Sequence, residues 1–242
     1  MRVGRIRYVH SVLVMEAIVL AGGFGTRLRR MVPDLPKPMA PIGGRPFLEI
    51  LLRSLAHKGF DRVVFSLGFM AEKISVHFGR HFAGIELVYE VESQPLGTGG
   101  AIRAALTRCL EDHVYVFNGD TYLDLEVDQL EKLWQSRYHP IIVVREVSDT
   151  GRFGRVAIQD GRVIAFLEKG KSGSGLINAG CYVLPQHALD DFSLGQPFSL
   201  ETEFFIKYLQ SIRFDGFVTQ GRFIDIGVPE DYVLAQTVLA GL

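Results

Sequence analysis

"LAGGFGTRLRRMVPDLPKP", residues 20–38, decides how this chain is read. Just before it, "EAIVLAG" (16–22) is a continuous apolar, β-branched run ended by glycine, as expected of a strand buried on both faces of a parallel sheet. Gly22, Gly23 and Gly25 then supply backbone freedom, Arg27, Arg29 and Arg30 supply positive charge, and Lys37 stands between Pro36 and Pro38. A strand ending in glycines presents backbone N–H groups at the carboxyl edge of the sheet, where open α/β folds bind ligands, and phosphate is the ligand that suits them. The flanking prolines restrict the backbone, which lowers the entropy lost when the lysine ammonium is held at one point. Taken singly, each feature is equally well explained by a solvated turn with exposed cations.

Outward from this stretch, strand and helix patterns alternate. "RPFLEILLRSLAHKGF" (45–60) has Pro46 in a first helical turn, an apolar stripe of Phe47, Leu48, Leu51, Leu52 and Leu55, and Gly59 as its stop. "DRVVFSLGF" (61–69) returns a strand. A short helix near 71–78, a strand at "IELVYEV" (85–91), a helix after Pro95 and a strand at "HVYVFNGD" (113–120) follow. Repeated strand–helix–strand units predict a Rossmann-like, three-layer α/β fold around a mostly parallel mixed sheet. Past residue 140 the rhythm changes to strands joined by glycine turns, "PIIVVREV" (140–147), "GRVAIQD" (154–160), "GRVIAFLEK" (161–169) and "INAGCYVL" (177–184), with "QDGR" (159–162) a hairpin candidate. These hairpins are expected to form a lid over one end of the sheet. Helical patterns return at "SLETEFFIKYLQ" (199–210) and "PEDYVLAQTVLA" (229–240).

The chain has 242 residues, 48% hydrophobic and 22% charged, enough for one large core. With no linker or repeat, residues 15–242 read as a single domain, and if Met15 is the working start, residues 1–14 are an N-terminal extension. A formal net charge of -1 offers no broad cationic field, which argues against nucleic acid or anionic lipid as a partner. No run reaches the roughly 18 apolar residues of a membrane span. The basic start followed by "SVLVM" has the outline of a signal peptide, but Glu16 interrupts the apolar run and cleavage near Ala21 would remove a strand. Cys109 and Cys181 are far apart and outside any C-x-x-C arrangement, which suits a reducing, cytoplasmic compartment.

The chemistry narrows by exclusion. Leu28 falls where the dinucleotide fingerprint needs its third glycine after Gly23 and Gly25, and the P-loop ending G-K-[ST] is absent, which disfavours a dehydrogenase or a P-loop kinase. Asp120 ends an apolar strand in "VYVFNGD" and Asp225 is embedded in "RFIDIG"; two such acids beside a phosphate loop are a candidate Mg²⁺ pair bridging to substrate phosphates. Glu168-Lys169 offers an acceptor for sugar hydroxyls beside a cation, or merely an exposed ion pair. His57, His77, His81 and His113 lack metal spacing and read as structural.

Together these residues match a family. "LAGGFGTRL", "PKPM" and "RPFLE", followed in order by "ESQPLGTGGA", "NGD", "FG", "EK", "NAG" and "FIDIG", resemble the sugar-1-phosphate nucleotidylyltransferases from about Glu16 to Leu239. "PKPMAPI", "PLGTGGAI", "NGDT", "GLIN" and "FIDIGVPEDY" are most similar to the bacterial D-glycero-D-manno-heptose 1-phosphate guanylyltransferases within it. Larger mannose-1-phosphate guanylyltransferases carry an additional left-handed β-helix that has no counterpart in these 242 residues.

The resemblance implies transfer of a nucleoside monophosphate from GTP to a heptose 1-phosphate, with Mg²⁺ and release of pyrophosphate, in the service of capsule, lipopolysaccharide or surface-glycan synthesis. It implies Arg27, Lys37, Asp120 and Asp225 as the catalytic set, the two aspartates holding the metal. Leu20, Ala21, Gly22, Gly23, Gly25, Thr26, Gln94, Gly97, Thr98 and Gly119 would bind the nucleotide, with Gln94 and Gly97 on the base and Gly97, Gly99 and Gly100 letting the backbone come close to a flat purine. Gly154, Glu168, Lys169 and Asn178 would bind the sugar phosphate. The residues alone leave the base open among guanine, uracil, thymine and adenine. They leave the sugar open among heptose, mannose, glucose and N-acetylmuramic acid, and a homodimer open as the assembly. A non-catalytic nucleotide-sugar sensor is the competing class, against which stands the joint presence of Arg27, Lys37, Asp120 and Asp225.

Overall fold

The structure, a computed structural model, describes residues 14–25, 28, 31–167 and 172–242. The expectations placed on Thr26, Arg27, Glu168 and Lys169, and on residues 1–13, lie outside the described residues.

In chain order the elements are β1 (Glu16–Leu20), a 3₁₀ turn at Lys37–Met39, a hairpin of β2 (Pro41–Ile42) and β3 (Arg45–Pro46), then α1 (Phe47–His57), β4 (Arg62–Leu67), α2 (Ala71–Phe78), β5 (His81–Phe82) and β6 (Ile85–Val91). There follow α3 (Gly97–Leu106), β7 (His113–Asn118), β8 (Thr121–Leu123), α4 (Val127–Arg137), β9 (Ile141–Val147), β10 (Arg155–Gln159), β11 (Arg162–Leu167) and β12 (Gly175–Pro185). A wide π-helical turn at Leu200–Ile206, β13 (Asp215–Thr219), β14 (Phe223–Asp225) and α5 (Pro229–Val238) complete the chain. Pro46 lies just ahead of α1 rather than inside its first turn, and Gly59, with φ 87°, follows its end.

Ten strands form one sheet in the order β10-β11-β13-β9-β12-β7-β1-β4-β6-β5. Its centre, β7-β1-β4-β6, is parallel, as the alternating strands and helices require. β12 then runs antiparallel between β7 and β9, so the hairpin-rich half, expected as a lid, extends the same sheet sideways. Asp160 and Gly161 both have positive φ (50° and 71°) in the two-residue turn from β10 to β11, the geometry a type I′ hairpin needs.

The continuous apolar run of β1 is explained by its two neighbours in depth. Ala17 and Val19 pack on the face covered by α1 and α4, with Leu51, Leu55, Leu130 and Trp134. Ile18 packs on the other, with Ile102 and Ala105 of α3 and with Phe204, Phe205 and Phe214. A third cluster joins Leu28, Ile42, Phe47 and Ile50 to Ile224, Ile226 and Tyr232, and it fastens β14 and α5 beside the Lys37 loop. No helix among the described residues is long and apolar enough to cross a membrane.

Candidate active site

The carboxyl ends of β1 and β7 open onto a cavity of about 440 Å³ lined by Leu20–Gly25, Lys37, Asn118 and Asp120, among others. The strand ends meet closely: the Gly119 N–H donates to the Leu20 carbonyl at 2.9 Å, and a Cβ on Gly119 would stand 2.6 Å from that oxygen. Gly119 therefore has a structural reason to be glycine, and it sets Asp120 at the cavity edge. Gly25 takes φ 58°, and a Cβ there would lie 2.8 Å from Lys37 Cβ. The glycine loop is thus shaped around the lysine, whose side chain is only 10% exposed.

Lys37 Nζ donates to Asp120 Oδ2. Asp225 arrives from more than a hundred residues further on by a local ladder: β14 pairs antiparallel with β8, Asp225 opposite Thr121, and the Ile226 N–H donates to the Asp120 carbonyl at 2.9 Å. The Gly227 N–H donates to Asp225 Oδ1 at 2.6 Å, and a Cβ on Gly227 would meet both that carboxylate and Lys37 Nζ, the latter at 3.1 Å. Lys37 and Asp120 therefore meet at one wall of the cavity, and Asp225 adjoins them through Gly227, which lines the same wall. Burial, and next the charge of Asp120, push the Asp225 carboxyl above its ordinary range, while Lys37 and the Gly227 N–H pull it back. Two acids held this close, one of them resisting ionisation, are a set that a divalent cation would neutralise. Among the described residues no group of three or more His, Cys, Asp or Glu is placed to hold a metal ion, so a hard cation bound here would take its remaining oxygen ligands from phosphate and water.

A second cavity, about 530 Å³, adjoins the first at Asn118 and is lined by Gly154, Asn178, Tyr182, Glu201 and Thr202 among others. The "NAG" motif is a β-bulge: pairing passes from Asn178 opposite Val144 to Cys181 opposite Val143, and Gly180 takes φ 68°. Asn178 Oδ1 accepts from the Gly180 N–H at 3.0 Å and its Nδ2 donates to Tyr182 Oη at 2.8 Å, which fixes the amide on the cavity wall.

Of the residues that the resemblance assigns to the nucleotide, Leu20, Ala21, Gly22, Gly23, Gly25, Gly97 and Thr98 line the first cavity. Gln94 does not; it lines a neighbouring hollow of about 310 Å³. Glu92 borders both the hollow and the first cavity, and its Oε2 accepts from the Leu96 N–H at 2.9 Å. Gly99 and Gly100 are buried against Phe198 and the Gln196 carbonyl, so their missing side chains serve helix packing and not a purine. Sequence reasoning missed Phe24, Ser66, Glu92, Asn118 and Glu201 as lining residues. Asn118 and Glu92 sit inside motifs already noticed; nothing in the sequence marks Ser66 or Glu201.

Glycine amides at a strand end, a clamped lysine and a pair of acids define a phosphate-handling α/β protein of the nucleotide-binding kind. Comparison with known proteins makes this specific. The chain belongs to the nucleotidyl transferase family, which it matches over residues 16–240. It is 40% identical over 226 residues, 93% of this chain and 98% of the other, to the D-glycero-alpha-D-manno-heptose 1-phosphate guanylyltransferase of Aneurinibacillus thermoaerophilus. It is 36% identical to the mannose-1-phosphate guanylyltransferase of Mycobacterium tuberculosis, covering 90% of this chain and 63% of that one. Crystal structures of HddC from Yersinia pseudotuberculosis, 36% identical, superpose with TM-score 0.85 over 93% of this chain and all of the other, and with 0.83 for the complex with GMP-PN.

Proposed function

We propose that residues 15–242 form one catalytic domain that transfers GMP from GTP to a sugar 1-phosphate, D-glycero-α-D-manno-heptose 1-phosphate, forming GDP-heptose and pyrophosphate for a surface glycan. The observation that carries this reading is the convergence of Lys37, Asp120 and Asp225 beside a cavity that adjoins a second one at Asn118. One cavity suits the triphosphate and the other the sugar phosphate, with the reacting phosphorus between them. The relatives of this size that share 40% identity carry the heptose guanylyltransferase name, which supports GTP and the heptose as the pair.

In the reaction a phosphate oxygen of the sugar 1-phosphate attacks the α-phosphorus of GTP in line, the bond from that phosphorus to the β-bridging oxygen breaks, and pyrophosphate leaves. Both reactants are anions, so catalysis is chiefly alignment and charge neutralisation and needs no covalent nucleophile. Backbone N–H groups from Gly22 to Gly25 would hold the triphosphate, with Arg27 on its β and γ phosphates. Lys37 would contact the α-phosphate and the incoming oxygen; its pre-set position means little rearrangement is needed as charge shifts. Asp120 and Asp225 would hold Mg²⁺, which when bound screens the phosphates from each other and polarises the α-phosphate. Asn178, with Gly154, Glu168 and Lys169, would orient the sugar phosphate.

The deciding experiment is a matrix of GTP, ATP, UTP and dTTP against heptose, mannose, glucose and N-acetylmuramic acid 1-phosphates with Mg²⁺, followed by released pyrophosphate. GTP with the manno-heptose 1-phosphate is expected to lead. Turnover led by another triphosphate, or none with any pair, would overturn the reading.

A further inference from the structure

The loop between β9 and β10 ties the second cavity to the far end of the chain. Asp149 Oδ1 accepts from the Gly151 N–H at 3.0 Å and from the Gly173 N–H at 3.3 Å, and the Phe153 N–H donates to the Thr150 carbonyl at 2.9 Å. Residues 149–153 therefore form a compact turn against the segment that leads into β12. From this turn Phe153 reaches the wall of the second cavity, while Arg152 crosses to α5, where its Nη2 donates to Asp231 Oδ2 at 2.8 Å. The Arg152 guanidinium also lies 5.3 Å from the centre of the Phe153 ring, and that ring stands edge-on to Phe223 of β14 at 6.5 Å. One turn thus touches the second cavity, β14 and α5.

β14 and α5 are the elements that frame Asp225: it ends β14, and Asp231 stands in the first turn of α5. Asp231 is close enough for its charge to act on the Asp225 carboxylate, after burial and Asp120. Its side chain is 20% exposed, so its charge is only partly screened by solvent, and Arg152 is the cation that answers it. The Arg152 side chain is 55% exposed. An ion pair of that kind is too weak to hold up a fold and strong enough to bias where a loop rests. We propose that Arg152 is a positioning residue: through Asp231 it clasps the 149–153 turn to β14 and α5, so that the wall of the second cavity and the aspartate beside the first are set relative to each other before the substrates meet. This rests on the reaction proposed above, in which the second cavity takes the sugar 1-phosphate.

Arg152→Ala and Asp231→Asn break the clasp from opposite sides. Each is expected to raise KM for the sugar 1-phosphate by roughly 3- to 5-fold, what a partly exposed ion pair can supply, with KM for GTP and Tm little changed. The double variant should be no worse than either single one, and Arg152→Lys should recover part of the loss. Amide hydrogen exchange of residues 150–153 should quicken in both single variants. A loss in Arg152→Ala that Asp231→Asn does not share would make Arg152 a direct substrate contact and overturn the clasp. Losses that multiply in the double variant, or KM values for both substrates that rise together, would overturn it as well. A wild type that turns over no sugar 1-phosphate defeats the proposed reaction and the clasp with it. An active wild type that Asp231→Asn matches in KM and in exchange defeats the clasp alone.

Discussion

At the scale of single residues the proposed chemistry depends on Lys37 being in one place before substrate arrives. Its side chain is nearly enclosed, pinned by Pro36 and Pro38 along the chain and by the Gly25 backbone from across the loop. Removing a preorganised donor of this kind typically lowers turnover on the order of 10² to 10³, so Lys37→Ala should lose that much in kcat with little change in the circular dichroism spectrum. Near-normal turnover in the folded variant would remove Lys37 from the chemistry. Gly25→Ala should act through the same lysine without touching its charge. The added Cβ would sit 2.8 Å from Lys37 Cβ on a backbone at φ 58°, a conformation costing a side-chain-bearing residue about 1–2 kcal/mol. Expected are a modest loss of stability in a urea melt and a disproportionate loss of kcat; wild-type kinetics would show that the loop accommodates Lys37 in more than one way. Pro36-Lys37-Pro38 was legible as a clamp from sequence, because proline acts locally. What Lys37 clamps, Asp120 and through it Asp225, was implied only by family resemblance, since β14 meets β8 across about a hundred residues of intervening chain.

Individual elements show where sequence reasoning succeeds and why it stops. β1, β4 and β7 were legible because a strand covered on both faces must be apolar throughout. β13 was not, for "DGFVT" contains two residues that strands avoid. Its aspartate is accepted because it is buried within an ion-paired group: Asp215 Oδ1 accepts from Arg137 and Arg213 at 3.0 and 2.9 Å. Its glycine is required because Ile158 fills the space a Cβ would take. α4 was overlooked although Val127, Leu130 and Trp134 recur at helical spacing; the apolar stripe is thin and the rest of the helix is polar. One strand–helix contact makes a prediction. His113 at the start of β7 hydrogen-bonds Glu131 of α4 at 3.0 Å through Nε2, and Tyr115 Oη donates to the same carboxylate at 2.8 Å. The bond from His113 comes first in holding Glu131 down at about 2, against the opposing effect of burial. For His113 burial acts to lower the value, and the bonds to Glu131 and Asp112 outweigh it, leaving it raised. A lowered carboxyl contributes stability above its ordinary value near 4.5 that fades as the pH falls, and a raised imidazole contributes stability below about 6.5 that fades as the pH rises. Urea midpoints should therefore plateau between those values and decline on either side, and Glu131→Gln should flatten both limbs relative to the wild type. Parallel profiles for the two proteins would exclude the pair as the source.

Across the whole molecule, the cavity walls come from chain segments between Leu20 and Gly227, so the cavity draws on nearly the full length of the described chain. β12, wedged antiparallel between β7 and β9, makes the parallel half and the hairpin-rich half one sheet, and Asn118 at the end of β7 lines both cavities. Anything that binds these walls only when they are assembled must stabilise the fold as a unit. At a free concentration of about 100 times its Kd, a ligand contributes about 2.7 kcal/mol, and for a protein of this length each kcal/mol moves Tm by roughly 2–4 °C. GTP with Mg²⁺ should thus raise Tm by roughly 5–10 °C. Asp225→Asn separates the two ingredients of that shift. Burial and the charge of Asp120 both work against an ionised Asp225, so the neutral amide should leave the ligand-free protein melting no lower than the wild type. The same substitution removes one of the two carboxylates proposed to hold the cation, so the increment given by GTP with Mg²⁺ over GTP with a chelator should shrink towards zero. A ligand-free variant that melts well below the wild type would mean that Asp225 holds the fold together through its bond from Gly227. An undiminished Mg²⁺ increment would mean that the cation is held elsewhere.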